Sequence, residues 1–117
     1  MSNEKIQEAF RNAGAIPTMM QTLRDYNHEP IIVKKGIQAI CALAKDSTNR
    51  EDFVEAGACE LMIRTVKKYL DNDEIISEFV LAFLEFCNSE AGKERFSDGI
   101  KKSFTEEEIA IFVEKLY

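Results

Sequence analysis

The segments Phe10-Arg11-Asn12-Ala13-Gly14-Ala15-Ile16 and Phe53-Val54-Glu55-Ala56-Gly57-Ala58-Cys59 decide how this chain folds. They begin 43 residues apart, and each sets a phenylalanine ahead of an Ala-Gly-Ala turn. The same spacing holds outward from them. Met19 falls on Met62, Leu23 on Val66, Tyr26 on Tyr69, Ile32 on Ile75, Ile37 on Val80, Ala39 on Ala82 and Leu43 on Phe86. A period of this size marks a stack of similar units, none of which can bury its apolar face alone. A third copy starts at Phe96 and continues through Ile109 and Phe112, but its Ala-Gly pair is missing and Gly99 matches only with a one-residue slip. The doublets Lys34-Lys35, Lys67-Lys68 and Lys101-Lys102 recur at 33 and 34 residues, yet the apolar positions ignore that shorter period, so it reads as coincidence.

Each unit reads as three helices. The first spans Glu4 to Asn12 and Asn49 to Glu55, with Thr48-Asn49-Arg50-Glu51 as a capping box at the second start. It stops at Gly14 or Gly57, where positive φ allows a sharp reversal. The second runs from Ile16 to about Tyr26 and from Cys59 to about Leu70, and Pro17 suits a first turn. The third runs from Ile31 to Lys45 and from Glu74 to Asn88. No window alternates strictly between apolar and polar residues, so no strand is expected. Thr105-Glu106-Glu107-Glu108 forms a further capping box, and Ile109, Phe112, Val113 and Leu116 follow as a helical stripe. The expectation is one all-α domain over 1–117: repeat one at about 3–46, repeat two at about 47–89, and a partial third with a C-terminal capping helix at about 90–117.

The pattern of period, three helices and Ala-Gly-Ala turn resembles the armadillo repeat, with HEAT repeats as the nearest neighbour. Asn12-Ala13-Gly14-Ala15-Ile16-Pro17 and Glu55-Ala56-Gly57-Ala58-Cys59-Glu60 carry the turn. Ala39-Ile40-Cys41-Ala42-Leu43-Ala44 and Ala82-Phe83-Leu84-Glu85-Phe86-Cys87 are similar to the third helix. The resemblance covers nearly the whole chain. It implies a right-handed α-solenoid, extended in shape, whose third helices line a concave groove that holds a partner segment. The groove residues are then Lys34, Gln38, Ala42 and Lys45 in unit one and Ser77, Leu81, Glu85 and Asn88 in unit two, which follow one another at i+4 and i+3 on one face.

Importin-α-type repeats grip basic localisation signals with a Trp and an Asn on this helix. The matching positions here are Gln38 and Leu81, and Ala42 and Glu85, and the chain has no Trp, so that mechanism is not expected. Lys34, Lys35 and Lys45 suggest a groove for acidic partners, whereas Glu78 and Glu85 carry the opposite sign. A mixed-charge groove with an apolar spot at Leu81 is the expectation, although Leu81 lies on a helix apolar almost all round and reads equally as core. Tyr26, Tyr69 and Phe112 read as packing residues, as do Met19, Met20 and Met62.

Composition narrows the function classes. Apolar residues make up 45% and charged residues 31%, which suits a folded domain and not a disordered tail. The net charge of −6 opposes binding to nucleic acid or an anionic membrane, because both would repel the chain. The longest apolar run, Phe79 to Leu84, is far too short to span a bilayer, and no leader-like stretch follows Met1. The cytoplasm is the expected compartment, with the nucleus open. Cys41, Cys59 and Cys87 are odd in number and read as reduced, mostly buried hydrophobes.

Catalytic chemistry is not expected. His28, the one histidine, stands in a loop with no nucleophile proposed beside it, and no Cys lies within zinc-ligand spacing of another or of His28. The five glycines are isolated and make no phosphate cradle, so no metal and no cofactor is expected. A non-catalytic scaffold or adaptor that binds a protein or peptide is the leading reading. The alternative is a structural or self-associating unit, a homodimer through the C-terminal helix or the end piece of a larger assembly. A third idea is capture of basic partners by Glu106 to Glu108.

Overall fold

Two glycines turn the chain at equivalent places. Gly14 (φ 76°) and Gly57 (φ 85°) occupy the left-handed region, and no other described residue has a positive φ. A side chain there would bring Cβ against the following carbonyl, which is why the turn is written with glycine. The computed structural model describes residues 3–116, except the side chains of Asn3, Glu4, Gln7 and Phe10. The repeated phenylalanine at position 10 therefore lies outside the described side chains.

The described residues are all-helical, with no strand among them. The elements are α1 Asn3–Asn12, α2 Ala15–Asp25, α3 Pro30–Leu43, α4 Ser47–Glu55, α5 Ala58–Val66, a 3-10 turn at Lys67–Tyr69, α6 Asp73–Phe86, α7 Glu90–Ser103 and α8 Glu106–Leu116. The start and the end of α6 lie 43 residues beyond those of α3. Different chemistry sets the two starts. Pro30 opens α3, where its missing N–H costs nothing, whereas the Asn72 side chain accepts the Ile75 N–H (3.1 Å) at the start of α6.

The helix ends correct the sequence reading in three places. Helix α4 begins at Ser47, and its cap is Asp46, whose carboxylate accepts the Asn49 N–H at 3.0 Å. The expected capping box at Thr48 is thereby displaced into the first turn; an acid at Asp46 also sits favourably against the helix dipole. Helix α5 stops at Val66 and not at Leu70, because the chain tightens into the 3-10 turn. Helix α7 runs unbroken through the place where units one and two reverse direction. Gly99 lies inside it and allows close approach to α5: a methyl group at Gly99 would collide with Ile63 Cδ1. The Thr105 box forms as expected, with Glu108 N–H donating to Thr105 Oγ1 (3.1 Å) and Thr105 N–H donating to Glu108 Oε1 (2.9 Å).

Val33, Ile37, Ile40 and Ala44 recur at i+3 and i+4 along and just beyond α3, and all four are completely buried. The core continues through Met20, Leu23, Met62 and Val66 into an aromatic cluster at the C-terminal end. Phe79 is its centre, with ring centroids 5.7 Å from Phe96, 6.4 Å from Phe104 and 5.1 Å from Phe112. This cluster fastens α7 and α8 to unit two. Tyr69 and Phe112 pack as expected; Tyr26 does not. It is 48% exposed and stacks on His28, whereas the Tyr69 hydroxyl donates to the Asn27 carbonyl at 2.7 Å. The difference is positional, since Tyr69 has unit one beneath it and Tyr26 stands at the open edge.

The expected extended shape is not seen. The radius of gyration is 13.6 Å and the axes measure 43 × 30 × 23 Å, close to the roughly 13 Å of an ordinary globule of this length. The longest axis is less than twice the shortest, as in a compact helical globule. No helix of the described residues is long and apolar enough to cross a membrane.

The cluster makes a testable demand. Phe79→Ala should cost about 3–5 kcal/mol through the cavity it leaves, and Gly57→Ala about 1–2 kcal/mol through left-handed strain. Urea unfolding followed by circular dichroism reads both, and a Phe79→Ala loss smaller than that of Gly57→Ala would refute this account of the core.

Candidate functional site

Helices α3 and α6 lie side by side and run in the same direction, as three bridges show. Lys34 Nζ donates to Glu74 Oε2 (2.9 Å), Gln38 Nε2 to Glu78 Oε1 (2.9 Å) and Lys45 Nζ to Glu85 Oε1 (3.1 Å). The partners in each are 40 residues apart, three fewer than the repeat, so α6 is advanced by nearly one helical turn along α3. Every bridge pairs a lysine or an amide of unit one with a carboxylate of unit two.

Of the eight expected groove positions, four take part in these bridges, and Leu81 and Asn88 line a depression beside Lys45 and Glu85. Lys34, Gln38, Lys45 and Glu85 are engaged with one another or with neighbouring acids. Glu85 is the most committed: its second oxygen accepts from Asn88 Nδ2 at 2.7 Å, and its side chain is only 14% exposed. The hydrogen bond from Lys45, and then the charge of Glu85, push the Lys45 ammonium above the usual lysine range. Ser77 is half-buried and Ala42 is exposed. Leu81 resolves as surface and not core, at 53% exposure, and Leu84 one turn on is exposed at 47%. Cys41, Lys45, Leu81, Leu84, Glu85 and Asn88 line a shallow depression of about 340 Å³.

Sequence reasoning missed Glu74, Leu84 and Cys41 at this face, and weighed Glu78 for its charge without its pairing to Gln38. The repeat says which residues are equivalent at 43 residues and not which ones meet, and the packed helices meet at 40. Sequence reasoning also passed over Lys67, which belongs to a doublet dismissed as coincidence. Lys67 Nζ donates to the Ser103 carbonyl (2.6 Å) and to Glu108 Oε1 (2.8 Å), and stands 5.0 Å from the Phe104 ring centroid. Its hydrogen bond, with the Thr105 N–H, holds the Glu108 carboxyl below the usual range. Of the acids once read as a patch for basic partners, Glu108 is thus occupied within the chain.

The thiols are quiet. Burial pushes Cys41 and Cys87 upward and Cys59 up to about 12, which favours the thiol over the thiolate at each. His28 is exposed, with Nε2 3.8 Å from the Glu29 carboxylate. The assembled face offers two leucines at the surface, rimmed by polar groups already satisfied, which suits contact with an apolar side chain more than with a charged one. Comparison with protein-family models, curated proteins and solved structures finds no match.

The Lys45–Glu85 pair should be visible by titration. Because the Lys45 value is raised on folding, the pair's contribution is complete below the lysine value of the unfolded chain and is lost as pH rises through the folded one. Side-chain NMR should show Lys45 titrating above the usual lysine range, and Glu85→Gln should return it to that range.

Proposed function

We propose that this chain is a non-catalytic protein-interaction module, a scaffold or adaptor built as a short right-handed α-solenoid of armadillo-like repeats. It holds a partner segment along the face formed by α3 and α6. The reading also places it in the cytoplasm or nucleus, in keeping with three thiols held as buried or half-buried hydrophobes.

One observation carries the reading: Leu81 and Leu84 stand exposed side by side on a face whose polar neighbours are paired with each other. Satisfied polar groups contribute little new energy to a partner, whereas exposed leucine surface contributes about 25 cal/mol per Å² when covered. The ion pairs then frame the contact and hold the two helices at fixed separation. The partner is a protein segment with apolar side chains spaced to meet Leu81 and Leu84, and with amide or hydroxyl groups for the rim. The equivalence of α3 and α6 at 43 residues supports the repeat architecture behind it.

Selection from a phage-displayed library of linear peptides tests this reading without knowledge of the natural partner. Peptides rich in leucine, isoleucine or phenylalanine should emerge, and Leu81→Glu should weaken them by about tenfold or more, near 1.4 kcal/mol. At 53% exposure Leu81 tolerates the change, and circular dichroism verifies that the fold is kept. Equal binding to wild type and Leu81→Glu, or no selected peptide, would sink the groove reading.

A further inference from the structure

The edge of unit one that faces away from unit two is open. Thr18 and Thr22 of α2 and Ile31, Ile32, Lys35 and Ala39 of α3 line a groove of about 280 Å³ there, and Ile31 is 72% exposed. The residues 43 positions further on are Leu61, Thr65, Glu74, Ile75, Glu78 and Ala82. Leu61, Thr65, Ile75 and Ala82 are buried, and Glu74 and Glu78 accept from Lys34 and Gln38 of α3. The groove of unit one is thus the face with which unit two holds α3, left without its helix.

The joint between α3 and α6 specifies the helix that fits. Helix α3 brings the buried row Val33, Ile37 and Ile40, with Lys34 and Gln38 beside it to reach Glu74 and Glu78. In the open groove Ile31 stands in the place of Glu74, and the exposed Lys35 in the place of Glu78. The fitting helix therefore keeps the apolar row, but carries an apolar residue where α3 has Lys34 and an acid where α3 has Gln38. Helix α8 has this pattern. Set 76 residues beyond α3, it begins at Glu106 where α3 begins at Pro30. Ile109, Val113 and Leu116 then stand for Val33, Ile37 and Ile40, Ala110 for Lys34, and Glu114 for Gln38. Ala110 and Glu114 are exposed, as are Val113 at 42% and Leu116 at 47%. Within its own chain α8 packs on α6, which lies between it and α3, so it meets such a groove only on another copy.

We propose that this chain assembles head to tail, with α8 of one copy laid in the groove between α2 and α3 of the next. The docked helix runs parallel to α3. Its apolar row enters the groove, Ala110 covers Ile31 of the next copy, and Glu114 pairs with that copy's Lys35. The contact joins two different surfaces of the same molecule. Each added copy therefore leaves a free groove at one end and a free α8 at the other, and the assembly is open-ended. It is separate from the face at Leu81, which stays available to a partner segment.

Analytical ultracentrifugation of the full chain tests this. The mass should rise with concentration and pass that of a dimer. Ile31→Glu spoils the groove and Leu116→Glu spoils the helix face, and each should weaken association by about tenfold or more, while Leu81→Glu leaves it unchanged. All three residues are exposed, and thermal unfolding verifies that the variants fold. Mixed together, Ile31→Glu and Leu116→Glu should form a one-to-one complex and nothing larger, because the first keeps its α8 and the second keeps its groove. Lys35→Glu and Glu114→Lys should each weaken the assembly, and both in one chain should restore it. The proposal is overturned if the wild type stays monomeric at about 1 mM, or if the mixed variants do not combine. Association that stops at a dimer and survives Ile31→Glu would set α8 against α8 and overturn it as well.

Discussion

The seam between α3 and α6 is the constraint on which the other contacts depend. A helix with an apolar stripe has to bury it, and a unit of three short helices lacks the surface to do so internally. Unit one solves this by laying the row from Val33 to Ala44 against unit two, and the stagger of nearly one turn follows from how ridges of side chains interlock. Once that stagger is set, Lys34, Gln38 and Lys45 meet carboxylates. Tyr69 reaches Asn27, and Arg95 Nη1 donates to the Val54 carbonyl at 2.7 Å one unit further along.

The ion pairs on this seam are not its source of stability. Lys34 and Glu74 are 35% and 74% exposed along their side chains, and such surface pairs contribute about 0–1 kcal/mol each. The buried rows and the Phe79 cluster outweigh them. The pairs do something narrower: a slip of α6 by one turn would set Glu74 and Glu78 against the wrong residues, so they select one register among several that the apolar rows would tolerate.

Much of the fold was legible because it depends on local, repeated signals. Gly14 and Gly57 announce the turns, Thr105 to Glu108 announces α8, and apolar spacing announces most helices. Asp46 as a cap was missed because Thr48 offered an equally good pattern one turn away, and only tertiary placement decides between two adequate caps. Leu81 was ambiguous for a related reason. A helix apolar all round can hide either side, and the choice belongs to its neighbours. The pairing along the face at Leu81 was not legible, because the stagger between units is a property of packed surfaces and leaves no mark in either unit alone.

The even spacing of the bridges has a kinetic side. The hydrogen bonds that join one unit to the next link residues 36 to 42 positions apart. Closing a loop costs entropy that rises with the logarithm of its length, about 0.6 kcal/mol for each doubling. Here every such closure has nearly the same length, so each joint costs about the same and none waits on a distant part of the chain. Contacts of such moderate and even separation favour rapid folding.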